Sequence, residues 1–349
     1  MIQRFIETAL LGFLGGFLFN NLNLPLPWIL GSLTFVMLWQ GFTHREAYWP
    51  NAVKNIGLII LGLYFGLYFT ISTFLSIGPY VFPFLFVTCI LIFSSIAISM
   101  TITKWINVDD VTSVFGSIPG GLSEMVIASE ALHANSSYVV IFQTVRLLTV
   151  LFVVPSVIIL FFTESSVAIE SITTPFEFGW NVLWFSFPAL LGVLIRNKIP
   201  AGIVIGPLVL TALMNLVLNL ATIPELLLIA GQLAIGIGLG KNISFADVKA
   251  GGKYSLIYFS VSLILICLSF LLGAFFSLIT SLDLATAMLS VAPGGLIEMV
   301  LTAATVGADP AIVSALQLTR ILVILVAVPP FLSWFFRKRS RTNNSTKVS

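Results

Sequence analysis

Hydrophobic residues fill this chain in long runs that are separated by short polar segments. Most runs are about 18 to 25 residues long, which lets an α-helix cross a hydrocarbon core of about 30 Å. The pattern predicts ten transmembrane helices, at roughly residues 4–21, 26–43, 54–72, 80–103, 138–162, 179–195, 201–221, 225–240, 254–280 and 311–336. Two further apolar segments, 110–133 and 283–307, carry proline and paired glycines, which oppose an unbroken helix.

Composition indicates the same class of protein. Hydrophobic residues make up 58% of the chain and charged residues only 9%, whereas a soluble domain is about one quarter charged. The net charge of +2 is too small to indicate nucleic-acid binding. We therefore predict an all-α integral membrane protein that has the lipid bilayer around it and makes no direct contact with nucleic acid.

The sequence also repeats itself. Residues 117–126 (SIPGGLSEMV) correspond to residues 291–300 (VAPGGLIEMV), 174 positions later. The same offset relates Gly62 to Gly236, and Arg146 to Arg320. The chain therefore consists of two copies of a unit of about 175 residues. We predict a first membrane repeat at 1–168, a second at 169–336 and a basic cytoplasmic tail at 337–349.

The distribution of charge favours one topology of these repeats. If segments 110–133 and 283–307 enter the membrane and return, all but Arg146 and Arg320 of the 16 lysines and arginines lie on the cytoplasmic side. If both segments cross instead, Arg196 and Lys198 lie outside. The charges thus predict about ten transmembrane helices in two inverted five-helix repeats, each with a re-entrant segment broken at Pro-Gly-Gly. Both termini are expected in the cytoplasm.

The repeated motif predicts a broken helix within the membrane. A helix that restarts at Leu122 or Leu296 directs its N-terminal amides toward the break and carries Glu124 or Glu298 in its first turn. A break of this kind is tolerated where protein or a water-filled cavity satisfies the backbone. Simple kinking and close helix packing is the alternative interpretation.

Charged residues accompany each break. Gln143 and Arg146 lie three positions apart on the next predicted helix, and Gln317 and Arg320 repeat this spacing. Because charge within a span is costly, it usually pairs or lines an aqueous pathway. We expect pairs of Glu124 with Arg146 and Glu298 with Arg320, either as structural salt bridges or as a site for an anion or proton. The candidate substrate- or ion-binding residues are Pro119, Gly120, Gly121, Glu124, Gln143, Arg146, Pro293, Gly294, Gly295, Glu298, Gln317 and Arg320.

The doubled Pro-Gly-Gly-x-x-Glu-Met-Val, followed by Gln-x-x-Arg, resembles the AbrB-type family of duplicated bacterial inner-membrane proteins. That resemblance implies a location in the bacterial inner (cytoplasmic) membrane. Members of that family have been given two functional labels, ammonia monooxygenase and regulator of gene expression. The chain has only two histidines and no carboxylate–histidine cluster in its sequence. We therefore expect no catalytic residue, no metal site and no cofactor, and do not expect an enzyme.

Two functions remain as hypotheses. Inverted repeats with broken helices at the midplane are typical of secondary transporters. The first hypothesis is a transporter of a small anionic or zwitterionic solute, coupled to H⁺ or Na⁺, with alternating access around the paired Pro-Gly-Gly, Glu and Arg half-sites. The second is a membrane sensor that regulates gene expression through a partner protein. A homo-oligomer is compatible with both.

Overall fold

A computed structural model describes residues 1–120, 122–132, 134–162, 180–199, 201–218, 220, 222–243 and 251–345. Within these ranges the chain forms α-helices and a 3₁₀ segment, with no β-strand. The helices are α1 Ile2–Asn21, α2 Pro27–Thr43, α3 Asn51–Leu67, α4 Ile71–Ile102, α5 Asp110–Ser117, α6 Leu122–Glu130, α7 Ser136–Phe162, α8 Ser186–Ile195, α9 Gly202–Leu218, α10 Glu225–Asn242, α11 Lys253–Thr280, α12 Leu284–Val291, α13 Leu296–Val306 and α14 Pro310–Ser345.

Among the residues that the structure describes, five stretches of helix are long and apolar enough to cross a membrane. They are α1, α4, α7, α11 and the segment Pro310–Phe336 of α14. Large hydrophobic side chains remain exposed on all five, for example Phe82 on α4 and Leu278 on α11. An apolar surface of this extent suits a lipid environment. The prediction of an all-helical protein with membrane-type helices is therefore confirmed.

The remaining predicted helices are present but shorter or differently bounded. α2, α3, α9 and α10 coincide with predicted segments. The predicted segment 179–195 instead begins with a 3₁₀ turn at Trp180–Phe185, and its α-helix starts only at Ser186. Pro188 explains this start, because proline fits the first turn of a helix, where its missing N–H is not needed.

The chain divides into two compact units, and each unit takes segments from both sequence repeats. The first contains residues 1–80, 152–246 and 296–314, and the second contains residues 81–151, 247–295 and 315–349. The predicted boundaries at residues 168 and 336 remain a prediction about the duplication. The two compact units divide the chain at other positions than the two repeats do, because each unit contains segments of both repeats.

In the first unit, helices of one repeat pack against helices of the other. α3 packs against α9, and α10 packs against α2, so the third helix of each repeat contacts the second helix of the other. Gly62 permits the first contact, because a Cβ there would lie 2.6 Å from the carbonyl oxygen of Val204. A Cβ at its counterpart Gly236 would lie even closer to the carbonyl oxygen of Ile29. These two glycines allow the helix backbones to approach.

In the same unit, side-chain amides donate hydrogen bonds to the carbonyl oxygens at the C-terminal ends of these helices. Gln40 donates to the carbonyl oxygen of Gly240 over 3.1 Å, near the C-terminus of α10. Asn215 donates to the carbonyl oxygen of Leu67 over 3.1 Å, at the C-terminus of α3. The last carbonyls of a helix have no partner within it, so both amides satisfy groups that would otherwise be orphaned.

In the second unit, apolar side chains surround the first of the short helices. Val114, Phe115 and Ile118 are buried with residues of α4 and α14. A second cluster places Phe142 of α7 against Tyr258 of α11, with stacked rings whose centroids are 3.5 Å apart. The hydroxyl of Tyr258 donates to the hydroxyl oxygen of Ser113 in α5 over 2.6 Å. These contacts fix the position of α5.

Candidate functional site

Both copies of the motif interrupt a helix, as predicted. α5 ends at Ser117 and α6 begins at Leu122, whereas α12 ends at Val291 and α13 begins at Leu296. In each interruption a glycine amide turns back to a carbonyl two residues earlier. The distance is 2.8 Å from Gly120 to Ile118 and also 2.8 Å from Gly294 to Ala292. The proline between these residues has no N–H to continue the helix.

An aspartate begins each of the short helices before the break. The carboxylate of Asp109 accepts from the backbone amide of Thr112 over 2.8 Å. The carboxylate of Asp283 accepts from the amide of Thr286 over 3.0 Å. Both are therefore N-caps, a role that satisfies a free amide at the start of a helix. The same cap in both copies positions the two breaks alike.

The two glutamines of the motif hold the ends of these short helices. Gln143 donates through Nε2 to the carbonyl oxygens of Phe115, at 2.5 Å, and Ile118, at 3.1 Å. Gln317 donates through the same atom to Leu289, at 2.7 Å, and more weakly to Ala292, at 3.3 Å. Since both glutamines are fully buried, they replace water at carbonyls that the break has freed.

The two arginines contact the break itself. Arg146 donates through Nη2 to the carbonyl oxygen of Gly120 over 3.2 Å. Arg320 donates through Nη2 to Gly294 over 2.5 Å and through Nη1 to Ala292. A guanidinium in this position also complements the negative end of the preceding helix dipole. The second copy therefore holds its break with two nitrogens, and the first copy with one.

The structure describes the acidic residues of the motif only in part. Gly121 and the side chain of Glu124 lie outside the described part of the chain, so the expected pair of Glu124 and Arg146 stays a prediction. Glu298 is buried in α13, where its backbone carbonyl accepts from the hydroxyl of Thr302 over 2.7 Å. It belongs to the first unit and Arg320 to the second. Their pairing also stays a prediction.

A small cavity in the second unit is bordered by both motif prolines, Pro119 and Pro293. Arg146 also borders it, and the cavity measures about 10 Å³, close to the space that one water molecule needs. The other lining residues are Leu91, Ser95, Ser117, Val150, Ser262 and Leu265. The structure thus brings the two breaks and one of the predicted arginines to the same cavity.

Two polar atoms at this cavity are buried without a partner among the described residues. They are the Nε of Arg146 and the hydroxyl oxygen of Ser95. The hydroxyls of Ser117 and Ser262 donate to carbonyl oxygens of their own helices instead, at 3.0 and 2.8 Å. An unpaired buried N–H is costly, so the cavity has unused hydrogen-bonding capacity that a ligand or water could satisfy.

Sequence reasoning missed the serines of this cavity. Ser95 lies in an apolar helix, where a serine usually donates to the carbonyl four residues before it and carries no sign of function. The repeat offered one signal, because Ser95 and Ser269 correspond at the offset of 174 positions. Among the described residues, no three histidine, cysteine, aspartate or glutamate side chains form a group that could hold a metal ion.

Comparison with known proteins gives a family and two relatives. A family model described as "Transition state regulatory protein AbrB" matches residues 28–336. "Uncharacterized protein YhjN" of Bacillus subtilis (strain 168) is 24% identical over 346 residues, covering 91% of this chain and 89% of that protein. "Putative regulator AbrB" of Escherichia coli (strain K12) is 26% identical over 347 residues, covering 92% of this chain and 94% of that protein. No solved structure matches the chain.

Proposed function

The chain belongs to the AbrB family, and from this premise we propose that it is a secondary transporter of a small anionic or zwitterionic solute. The transporter lies in the bacterial inner (cytoplasmic) membrane, with both termini in the cytoplasm. It has ten transmembrane helices in two inverted five-helix repeats, each with a re-entrant segment broken at Pro-Gly-Gly. The positive-inside distribution of lysine and arginine supports this topology.

One observation carries the proposal. Pro119 and Pro293, one from each repeat, border the same cavity, and so does Arg146. Broken helices that meet near the middle of a duplicated membrane protein provide free backbone groups for binding a solute. Arg146 satisfies one carbonyl of the break, that of Gly120, and its Nε stays without a partner among the described residues. The cost of burying that charge favours a binding role.

Alternating access then requires the two breaks to move in turn. The closed cavity holds about one water-sized group, so a larger solute enters only when one broken segment shifts. H⁺ or Na⁺ is the expected coupling ion. The carboxylates of Glu124 and Glu298 are the candidates for carrying a proton, because they lie in the helix turn that follows each break.

Transport is tested with the purified full-length protein in liposomes. Uptake of labelled short carboxylates and amino acids is measured under an imposed pH gradient, an imposed Na⁺ gradient or neither. We expect gradient-dependent uptake of at least one anionic or zwitterionic solute, and its loss in an Arg146→Gln variant. Equal uptake by protein-free liposomes across the whole panel would contradict the proposal.

The description of the matching family and the name of the Escherichia coli relative favour a second function. In this alternative the protein is a membrane sensor that regulates gene expression through a partner protein. The basic tail 337–349 is the expected contact on the cytoplasmic side. Deleting residues 337–349 should then abolish a transcriptional response while leaving purified protein monodisperse. An unchanged response would remove this alternative's main support.

A further inference from the structure

The cavity between the prolines is lined unequally by the two repeats. Its polar lining includes Arg146, Ser95 and Ser117 of the first repeat. The corresponding positions of the second repeat, at an offset of 174, are Arg320, Ser269 and Val291, and none of these lines the cavity. One site is therefore built asymmetrically from a duplicated sequence.

The two arginines also differ, in the number of hydrogen bonds that they donate to the backbone. Arg320 uses two nitrogens to hold the carbonyl oxygens of Ala292 and Gly294. Within the described chain, Arg146 has a single protein acceptor, the carbonyl of Gly120, and its Nε is buried without one. The Nε of Arg320 is also buried without a partner among the described residues, but Arg320 does not line the cavity. Arg146 is therefore the arginine that keeps donor capacity beside the cavity.

The serines at the matching positions show the same division. The hydroxyl of Ser269 donates to the carbonyl oxygen of Ile266 over 2.8 Å. The hydroxyl of Ser95 is fully buried and has no partner among the described residues. A buried hydroxyl that does not use its own helix is available to an outside acceptor. Ser95 and Arg146 therefore present two unused donors to one space.

We propose that this cavity, once enlarged by the shift of one broken segment, is an asymmetric binding site for the carboxylate group of a short-chain monocarboxylate, with Arg146 and Ser95 as its ligands. Arg320 is a positioning residue that fixes the second break. The inference rests on the proposed transport function for its biological role and deepens it by naming the class of solute and the residues that recognise it.

The chemistry of the lining favours a carboxylate over other ligands. A guanidinium offers parallel N–H groups that match the two oxygens of a carboxylate. Leu91, Leu265 and Val150 supply an apolar wall for a short alkyl group. No acidic side chain is among the described lining residues, so the positive end of a zwitterion finds no partner there.

Net charge favours a monovalent anion. Arg146 and Arg320 are both buried in the second unit. Buried charges of one sign are stabilised by an opposite charge. One carboxylate would balance the single positive charge that lines the cavity, that of Arg146, whereas a divalent anion such as sulfate would need more hydrogen-bond donors than this small cavity offers.

Equilibrium binding to the purified full-length protein in detergent tests the site. Sodium acetate and sodium formate are titrated calorimetrically, with sodium chloride and sodium sulfate for comparison. We expect acetate or formate to bind more tightly than either inorganic anion. Arg146→Lys should raise the dissociation constant about tenfold or more, because it removes a bidentate donor. Ser95→Ala should raise it about three- to tenfold.

Ser269→Ala is the matched control, since it removes the equivalent hydroxyl of the other repeat, which bonds its own helix. Its dissociation constant should stay within about twofold of the parent value. Equal effects of Ser95→Ala and Ser269→Ala would overturn the proposal, and so would tighter binding of sulfate than of acetate. The mild Ser95→Ala change keeps the test decisive even if Arg146→Lys fails to fold.

Flux measurements separate this inference from the transport proposal. Acetate binding that depends on Ser95, without uptake into liposomes, would refute transport and leave the site standing. Uptake of a carboxylate whose KM is unchanged by Ser95→Ala and Arg146→Lys would refute the site and leave transport standing.

Discussion

The side-chain amide of Gln143 donates to the backbone carbonyl of Phe115 over 2.5 Å, and Gln317 donates to Leu289, the corresponding residue of the second repeat, over 2.7 Å. Each glutamine thus closes the end of a short helix that stops at a proline. The repeated Gln-x-x-Arg thus permits two helix breaks inside an apolar core, because its side chains donate hydrogen bonds to backbone carbonyls that water cannot reach.

Replacing either glutamine with alanine should therefore destabilise the fold. Gln143→Ala and Gln317→Ala each leave buried carbonyl oxygens without a donor, at a cost of about 1–3 kcal/mol. Thermal unfolding of the purified protein in detergent measures the effect. A Ser269→Ala variant, which loses only a bond within its own helix, should melt close to the parent protein. Parent-like melting of both glutamine variants would contradict this role.

The arginines should differ in their contribution to stability. Arg320→Gln removes donors to both Ala292 and Gly294, whereas Arg146→Gln removes only the donor to Gly120. We expect Arg320→Gln to lower the free energy of unfolding by about 1–3 kcal/mol more than Arg146→Gln. Denaturant unfolding in mixed micelles compares them. The reverse order would show that Arg320 does not hold the second break.

Close packing at the glycines of the first unit gives a third prediction. Gly62→Ala should destabilise the protein, because the added Cβ would lie 2.6 Å from the backbone oxygen of Val204. Gly236→Ala meets Ile29 in the same way. Gly78→Ala is the control, since no atom lies within 4 Å of its added Cβ and alanine is the better helix former. Melting temperatures should fall for the first two and stay equal or rise for the third.

Orientation of the repeats can be tested at two corresponding loop residues. Asn107 and Ser281 are both exposed and are related by the offset of 174 positions. In a protein from which Cys89 and Cys267 have been removed, Asn107→Cys should react with an impermeant maleimide only from the cytoplasm, and Ser281→Cys only from outside. Labelling of both from the same side would contradict the inverted arrangement.

Local sequence patterns were sufficient to predict most of the helices and the interruption at each Pro-Gly-Gly. They did not reveal what the arginines contact. A polar residue in an apolar run indicates a need for a partner, but the partners turned out to be backbone carbonyls that exist as acceptors only because the helix breaks. Ser95 was missed for a related reason, since a serine that uses its own helix and one that does not look the same in a sequence.

The packing of helices from one repeat against helices of the other also has a consequence for the origin of the protein. The glycine face of α3 is covered by α9, and that of α10 by α2, so neither repeat buries this face by itself. An ancestor that consisted of one repeat would have needed a second copy of itself to cover that face. Gene duplication and fusion would then have joined two subunits that were already mutually dependent, which left the fused halves free to diverge at the cavity that Pro119 and Pro293 border.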